Sequence, residues 1–310
     1  MSGTRVLALC GGVGGAKLAL GLYRLLGGEL AVAVNTGDDF THLGLRICPD
    51  LDTVTYTLAG CVNPETGWGR AGESGQFMAA LAELGGEDWF FLGDRDLALH
   101  VERTRRLAAG ATLSAVTDHL ARALGVRARI LPMSDLPAPT LVETDAGTLA
   151  FQHYFVRERC RPAVRGLRLG GAQGCAVPEL LRLLRDPGLE AIVLCPSNPW
   201  LSLDPILALP GVRAALRASP VPVVAVSPIV GGRALKGPTA KIMAELGLEV
   251  SARTIAAHYG DLLDCLILDR ADAALAADLP GTLVAATVMH SEDDKIALAQ
   301  TTLAAARRCR

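Results

Sequence analysis

Val6-Leu7-Ala8-Leu9-Cys10-Gly11-Gly12-Val13-Gly14-Gly15-Ala16-Lys17 is the stretch that decides the fold of this chain. Five apolar residues read as a buried strand. The glycines read as a turn, and Leu18, Leu20, Leu22, Leu25 and Leu26 open a helical pattern. A strand, a glycine turn and a helix start in that order make a phosphate site. Glycine lets the backbone approach an anion, and the helix N-terminus offers free N–H groups and a positive dipole end. The stretch is not a P-loop, because no Ser or Thr follows Lys17 at the required spacing. Nor is it a full dinucleotide fingerprint: Gly12-x-Gly14 is present, but the third glycine position holds Lys17. The competing reading is a tight strand-to-helix turn without a ligand.

Outward from this stretch, strand-like and helix-like runs alternate. Candidate buried strands are Val6–Cys10, Leu30–Val34, Trp89–Leu92, Arg129–Leu131, Ala191–Cys195, Val221–Val226, Cys265–Leu268 and Leu283–Ala286. Helical stretches such as Ser74–Leu84 and Pro178–Leu184 lie between them. The alternation predicts an α/β, doubly wound, mostly parallel sheet. Thr140–Thr144 and Thr148–Val156 flank Asp145-Ala146-Gly147, which signals a hairpin and an antiparallel excursion. The expectation is one domain over 1–310 with a small α+β insertion around residues 100–170.

Composition narrows the function classes. The net charge is −2 over 310 residues and half the residues are hydrophobic. No basic footprint of a general nucleic-acid binder is present, so an anionic ligand must be met by local groups. No apolar run approaches the ~20 residues of a membrane span. Met1-Ser2-Gly3-Thr4-Arg5 leads straight toward the first strand without a signal-peptide pattern. The eight cysteines form no C-x-x-C pair, which argues against a structural zinc site and for a reduced, cytoplasmic compartment.

The acids carry the chemistry. Asn35-Thr36-Gly37-Asp38-Asp39 follows the second strand, where parallel sheets bind ligands. Asp38 and Asp39 beside a phosphate cradle suit a divalent cation, or alternatively an Asx turn. Pro49-Asp50-Leu51-Asp52-Thr53 adds two more carboxylates before the helix-like run Val54–Leu58. Asp52 or Thr53 could cap that helix, yet four acids in fifteen residues exceed what capping needs. Arg95, between Asp94 and Asp96, reads as a surface ion-pair cluster or an anion holder. His100 shares a helical face with Asp96 and reads first as structural. Polar turns at Pro196-Ser197-Asn198-Pro199, at Ser227–Gly232 and at Lys236-Gly237-Pro238-Thr239 suit a large nucleotide-like ligand.

Together these stretches resemble the 2-phospho-L-lactate transferase family of coenzyme F-420 biosynthesis (CofD/FbiA type). The matching segments are GGVGGAKLALGL (11–22), VNTGDDF (34–40), ICPDLDTVTYTLAG (47–60), LGDRDLALH (92–100), LPMSD (131–135), PSNPWLSLDPIL (196–207) and AVSPIVGGRALKGP (225–238). They occur in family order across nearly the whole chain. The resemblance implies a Rossmann-like fold, a homodimer and magnesium. It implies the acceptor 7,8-didemethyl-8-hydroxy-5-deazariboflavin and a guanosine diphosphate-linked donor carrying a three-carbon acid. The ribityl hydroxyl attacks the phosphorus next to the acid, GMP leaves, and a phosphodiester forms.

Placed on this sequence, the resemblance makes Asp38, Asp50 and Asp52 the catalytic candidates, and Asp38, Asp39 and Asp52 the metal candidates. Gly12, Val13, Gly14, Gly15 and Lys17 face the diphosphate, and Ser197 and Asn198 the nucleotide. The position before Leu92-Gly93 borders the deazaflavin; here Phe91 offers stacking or backbone contact but no charge. Val13 stands where many relatives have Thr, so backbone N–H groups must suffice there. The family includes lactyl, enolpyruvyl and glyceryl donors, and a GC-rich composition tilts toward enolpyruvyl. Two rival readings fit the sequence less well. A gluconeogenesis-factor-type regulator that binds UDP-sugars lacks the forms seen at 49–53 and 92–96. A nicotinamide oxidoreductase needs an acid closing the second strand, where this chain has Asn35. On this reading Asp52→Asn abolishes transfer and leaves the fold intact.

Overall fold

The computed structural model describes residues 3–309, so Met1 and Ser2 lie outside the described residues. In chain order the strands are β1 (Val6–Cys10), β2 (Leu30–Val34), β3 (Phe40–His42), β4 (Leu45–Ile47), β5 (Arg129–Pro132), β6 (Thr140–Thr144), β7 (Gly147–Ala150), β8 (Val164–Leu169), β9 (Ala191–Leu194), β10 (Val223–Val226), β11 (Ile229–Val230), β12 (Arg233–Ala234), β13 (Cys265–Asp269) and β14 (Thr282–Ala285). The helices that position the site are α1 (Gly12–Leu26), α2 (Pro49–Leu58), α3 (Gln76–Glu83), α4 (Asp94–Ala108) and α5 (Leu113–Ala123).

Seven strands form one sheet in the order β14-β13-β10-β9-β1-β2-β5, and every neighbouring pair is parallel. The central strands β1, β2, β9 and β10 are buried at every residue. That is why they read as unbroken apolar runs: helices cover both faces. Alternate β1 residues feed opposite cores. Val6, Ala8 and Cys10 join the side packed by α1, while Leu7 and Leu9 join the other. The strand order reverses between β1 and β9, and a ligand crevice opens outside the carboxyl ends at such a switch point. Both the glycine turn and Pro196–Asn198 leave the sheet there.

Seven of the eight expected strands are in this sheet. Trp89–Leu92 is not a strand but an irregular connection. Its aromatic residues are apolar for another reason. Trp89 and Phe90 pack with Phe40, His42 and, through Trp89, His153, at centroid separations of 4.9–5.9 Å. The expected hairpin is present as β6–β7, and β8 completes a separate antiparallel sheet. Its second arm ends at Ala150, where the chain turns into a π-helical turn over His153–Arg157. Before this sheet, the 100–170 range holds most of α4, all of α5 and the strand β5, which belongs to the central sheet.

Candidate active site

The site is built at the β1–β9 switch point. The glycine turn is shorter than the sequence suggests, because α1 already begins at Gly12 with Gly11 as its N-cap. Gly12 itself has φ +61°, a conformation that favours glycine. Gly14 and Gly15 are required by close approach. A Cβ on Gly14 would sit 2.4 Å from Pro196 O, and one on Gly15 2.3 Å from Ser197 Oγ. No acid lies in the first turn of α1, and the negative charge at its positive end comes from Asp50, which accepts from Gly12 N–H.

Asn35, fully buried at the end of β2, organises the acids. Its Nδ2 donates to Asp38 Oδ1 at 3.1 Å and to Asp50 Oδ2 at 2.9 Å, and its Oδ1 accepts from Gly37 N–H at 2.8 Å. Asp50 Oδ1 also accepts from Gly12 N–H at 2.7 Å. Asp38 and Asp50 are therefore bound to one amide and joined to the glycine turn. Neither forms a salt bridge among the described residues. Burial pushes the Asp38 carboxyl well up, and the neighbouring charge of Asp50 adds to it. Burial lifts Asp50 to about 6 against the opposing hydrogen bonds from Asn35 and Gly12. Asp39 is lifted to about 7 by burial, although Arg46 pairs with it at 3.2 Å. Buried, hard-oxygen donors held close together and short of counter-charge fit a divalent cation.

Asp52 lies two residues from Asp50 in the first turn of α2, whose N-cap is Cys48 rather than Asp52 or Thr53. Two residues on a helix turn the side chain through about 200°, so the carboxylates leave on different faces. Asp52 meets α4. Both of its oxygens accept from Arg103: Oδ2 from Nη1 at 3.1 Å, and Oδ1 from Nη2. Arg103 Nη1 also reaches the Arg46 carbonyl at 3.3 Å. His100 Nδ1 is 3.7 Å from Asp52 Oδ2, and His100 Nε2 is 3.4 Å from Asp96 Oδ1. The Tyr56 hydroxyl donates to Asp96. Burial raises the Asp96 carboxyl, but His100, Tyr56 and Arg103 together hold it below the usual range. Asp52, Asp96 and His100 each present a ligand atom within 4.8 Å of the others. The guanidinium already seated on Asp52 opposes a second cation there. The charges of Asp50 and Asp39 both push the Asp38 carboxyl up and that of Asp52 pushes Asp39 up, so the two groups form one acidic strip with two ends.

The remaining candidates differ in what they leave free. The Ser197 hydroxyl donates to Gly11 O at 2.9 Å and accepts from Gly11 N–H at 3.1 Å, so it buttons the loop after β9 to the glycine turn. Asn198 Oδ1 accepts from Trp200 and Leu201 N–H, and its Nδ2 donates to Thr239 Oγ1 at 2.9 Å. Both side chains are thus engaged in shaping the crevice wall. Lys17 Nζ donates to Met289 O at 2.8 Å. Phe91 is half exposed and lies against Gly75. Arg95 forms no ion pair among the described residues; Asp94 instead accepts from the first amides of α3. Sequence reasoning missed Arg103, Tyr56 and the bridging role of Asn35. Asp96, His100 and Arg103 at i, i+4 and i+7 form a stripe on one face of α4, and that spacing was the available signal.

This fold and site define a Rossmann-like α/β protein with a glycine turn and an acidic strip at the switch point of its sheet. Residues 6–297 match the family described as 2-phospho-L-lactate transferase CofD. A phosphoenolpyruvate transferase of Kitasatospora aureofaciens is 40% identical over 99% of both chains. One of Streptomyces griseus is 43% identical over 87% of this chain and 86% of its own length. One of Mycobacterium avium is 37% identical over 93% and 94%. A UPF0052-family protein of Bacillus halodurans shares the fold at TM-score 0.62 and 16% identity, covering 98% of this chain and 99% of its own. The chain belongs to the CofD family and is a transferase enzyme of coenzyme F-420 biosynthesis. No helix among the described residues is long and apolar enough to cross a membrane.

Proposed function

We propose that the enzyme transfers a phosphoenolpyruvyl group from a guanosine diphosphate-linked donor to 7,8-didemethyl-8-hydroxy-5-deazariboflavin. The oxygen of the terminal ribityl hydroxyl attacks the phosphorus beside the three-carbon acid. The bond from that phosphorus to GMP breaks, the hydroxyl proton is lost to solvent, and a phosphodiester remains. The observation that carries this reading is the Asp38–Asn35–Asp50 unit tied to the glycine turn through Gly12. Relatives named phosphoenolpyruvate transferase favour enolpyruvyl over 2-phospho-L-lactate as the acid.

Phosphoryl transfer depends on positioning and charge neutralisation, not on a protein nucleophile. Val13, Gly14 and Gly15 present the amide end of α1 to the diphosphate. Asp38 and Asp50 would hold Mg²⁺, with Asp39 beside them, and the metal would supply charge neutralisation for the phosphate oxygens. This moves the metal end away from Asp52, whose charge Arg103 already answers. Asp52 faces the acceptor, orienting the ribityl hydroxyl with a lone pair that Arg103 leaves free. Phe91 lines the deazaflavin, and Ser197 and Asn198 set the shape of the nucleotide wall. The working unit is a cytoplasmic homodimer.

The test is deazaflavin binding by the purified protein, then fluorescence-detected anion exchange after addition of Mg²⁺ and the guanosine-linked donors. A more acidic fluorescent product supports the reading, and its mass identifies the acid. No deazaflavin binding, with uptake of a UDP-sugar instead, contradicts it.

A further inference from the structure

The chain has only four lysines among thirty lysines and arginines. Two of them, Lys17 and Lys236, stand near the first turns of α1, while the backbone of a third, Lys295, packs against Gly21 farther along that helix. Burial lowers the half-buried Lys17 ammonium, and the charges of Lys236 and Lys295 lower it further. The fourth, Lys241, is the only lysine in a salt bridge among the described residues. Lys17 and Lys236 have only neutral carbonyls as hydrogen-bond acceptors, Met289 O and Thr66 O.

Two segments bring Lys236 to this place. Ser227 donates to and accepts from the Ile229 backbone, starting the β11–β12 hairpin that ends just before Lys236. The second is the turn between Cys61 and Ala71, closed by Ala71 N–H to Cys61 O at 2.8 Å and Asn63 N–H to Gly69 O at 3.0 Å. Lys236 Nζ donates to Thr66 O of that turn at 3.0 Å. A Cβ on the next residue, Gly67, would lie 3.5 Å from Lys236 Nζ and 2.7 Å from Val13 Cγ1. The ammonium therefore stands over the first turn of α1.

The one acid at this helix end, Asp50, is taken up by Gly12 N–H and Asn35 and pairs with neither lysine, so the ammonium groups of Lys17 and Lys236 repel one another and the helix dipole. Such an arrangement is unfavourable for the protein alone and favourable around an anion. We infer that Lys236 is a donor-binding residue that clamps the diphosphate over the glycine turn, with Lys17 beneath it. The inference rests on the donor reading above and names a residue which that reading left unassigned. Lysine suits the role as a compact ammonium that can leave a carbonyl for a phosphate oxygen.

The test measures inorganic pyrophosphate and GDP binding by calorimetry, with thermal melting, for the wild type, Lys236→Ala and Lys236→Arg. The expected result is binding at least tenfold weaker in Lys236→Ala and partly recovered in Lys236→Arg. Melting should be unchanged or higher in the absence of ligand, and deazaflavin binding unaffected. Unchanged pyrophosphate affinity in Lys236→Ala overturns the inference, as does a lower melting temperature with normal affinity, which marks a structural lysine. A wild type that binds no pyrophosphate also overturns it. The pyrophosphate arm is independent of acceptor and acid. If the transfer assay fails while this arm succeeds, the reaction is wrong and the clamp stands; the reverse outcome removes only the clamp.

Discussion

Asp50 and Asp52 are neighbours on the first turn of α2, yet they live in opposite electrostatic worlds. Asp50 is bound by neutral donors, the Asn35 amide and the Gly12 N–H, and shares its surroundings with Asp38. Asp52 is bound by the buried guanidinium of Arg103, within a network that continues through His100, Asp96 and Tyr56. The first acid stays short of positive charge, which on the proposed reading suits it to a cation. The second is already compensated, which on the proposed reading leaves it to orient the acceptor. A motif that reads as two equivalent carboxylates is split by helix geometry into two different tools.

The comparison breaks most visibly by removing charge on the donor side. Asp50→Asn should lower kcat/KM on the order of 10²–10³-fold, the scale for losing one preorganised electrostatic group. Urea unfolding should show a smaller loss, about 1–3 kcal/mol, since Asn can still accept from the Gly12 N–H but its Nδ2 then meets the Asn35 Nδ2 donor. On the other side the larger effect is on stability. Arg103→Ala leaves Asp52 buried without its partner and should cost about 3–5 kcal/mol in urea unfolding. For the same reason Asp52→Asn should lose stability as well as transfer, because Arg103 is then left uncompensated. An Asp52→Asn protein with wild-type stability would contradict the pairing.

A smaller effect follows from pH. Carboxyls whose folded-state affinity for protons is raised stabilise the fold at low pH, and that contribution is lost as pH rises. The window runs from the ordinary Asp value of 3.8 to about 6 for Asp50 and about 7 for Asp39. In the absence of metal, Asp50→Asn should therefore flatten the decline of melting temperature with pH across this window relative to the wild type. Metal affinity should run the other way, rising with pH as these carboxyls give up their protons. A wild-type melting curve that responds to pH like that of Asp50→Asn would show that Asp50 is not desolvated.

Much of the frame was legible because burial on both faces leaves a direct mark. The runs at Val6–Cys10, Leu30–Val34 and Ala191–Leu194 contain only apolar residues, and each is a central strand. Trp89–Leu92 misled because side-chain clustering produces the same apolar signal as strand burial. The acids were visible, but their division was not. It depends on α2 starting at Pro49, so that Asp50 and Asp52 are helical and diverge. Proline at the first helical position signals that start. The apolar pattern that marks the helix begins only at Val54. Arg103 was hidden because its partner is 51 residues away, and no local rule links α4 to α2. In the sequence Asn35 stands out only as the absence of an acid, whereas its two bonds to Asp38 and Asp50 tie those acids together.

The most direct test of this division is Mn²⁺ binding, measured by calorimetry on the wild type, Asp50→Asn and Asp52→Asn at pH 7.5, with circular dichroism to confirm folded protein. The account predicts that Asp50→Asn loses the metal and that Asp52→Asn, where folded, keeps it. Loss of Mn²⁺ binding in Asp52→Asn with retention in Asp50→Asn would contradict it and return the metal to the Asp52 end of the strip.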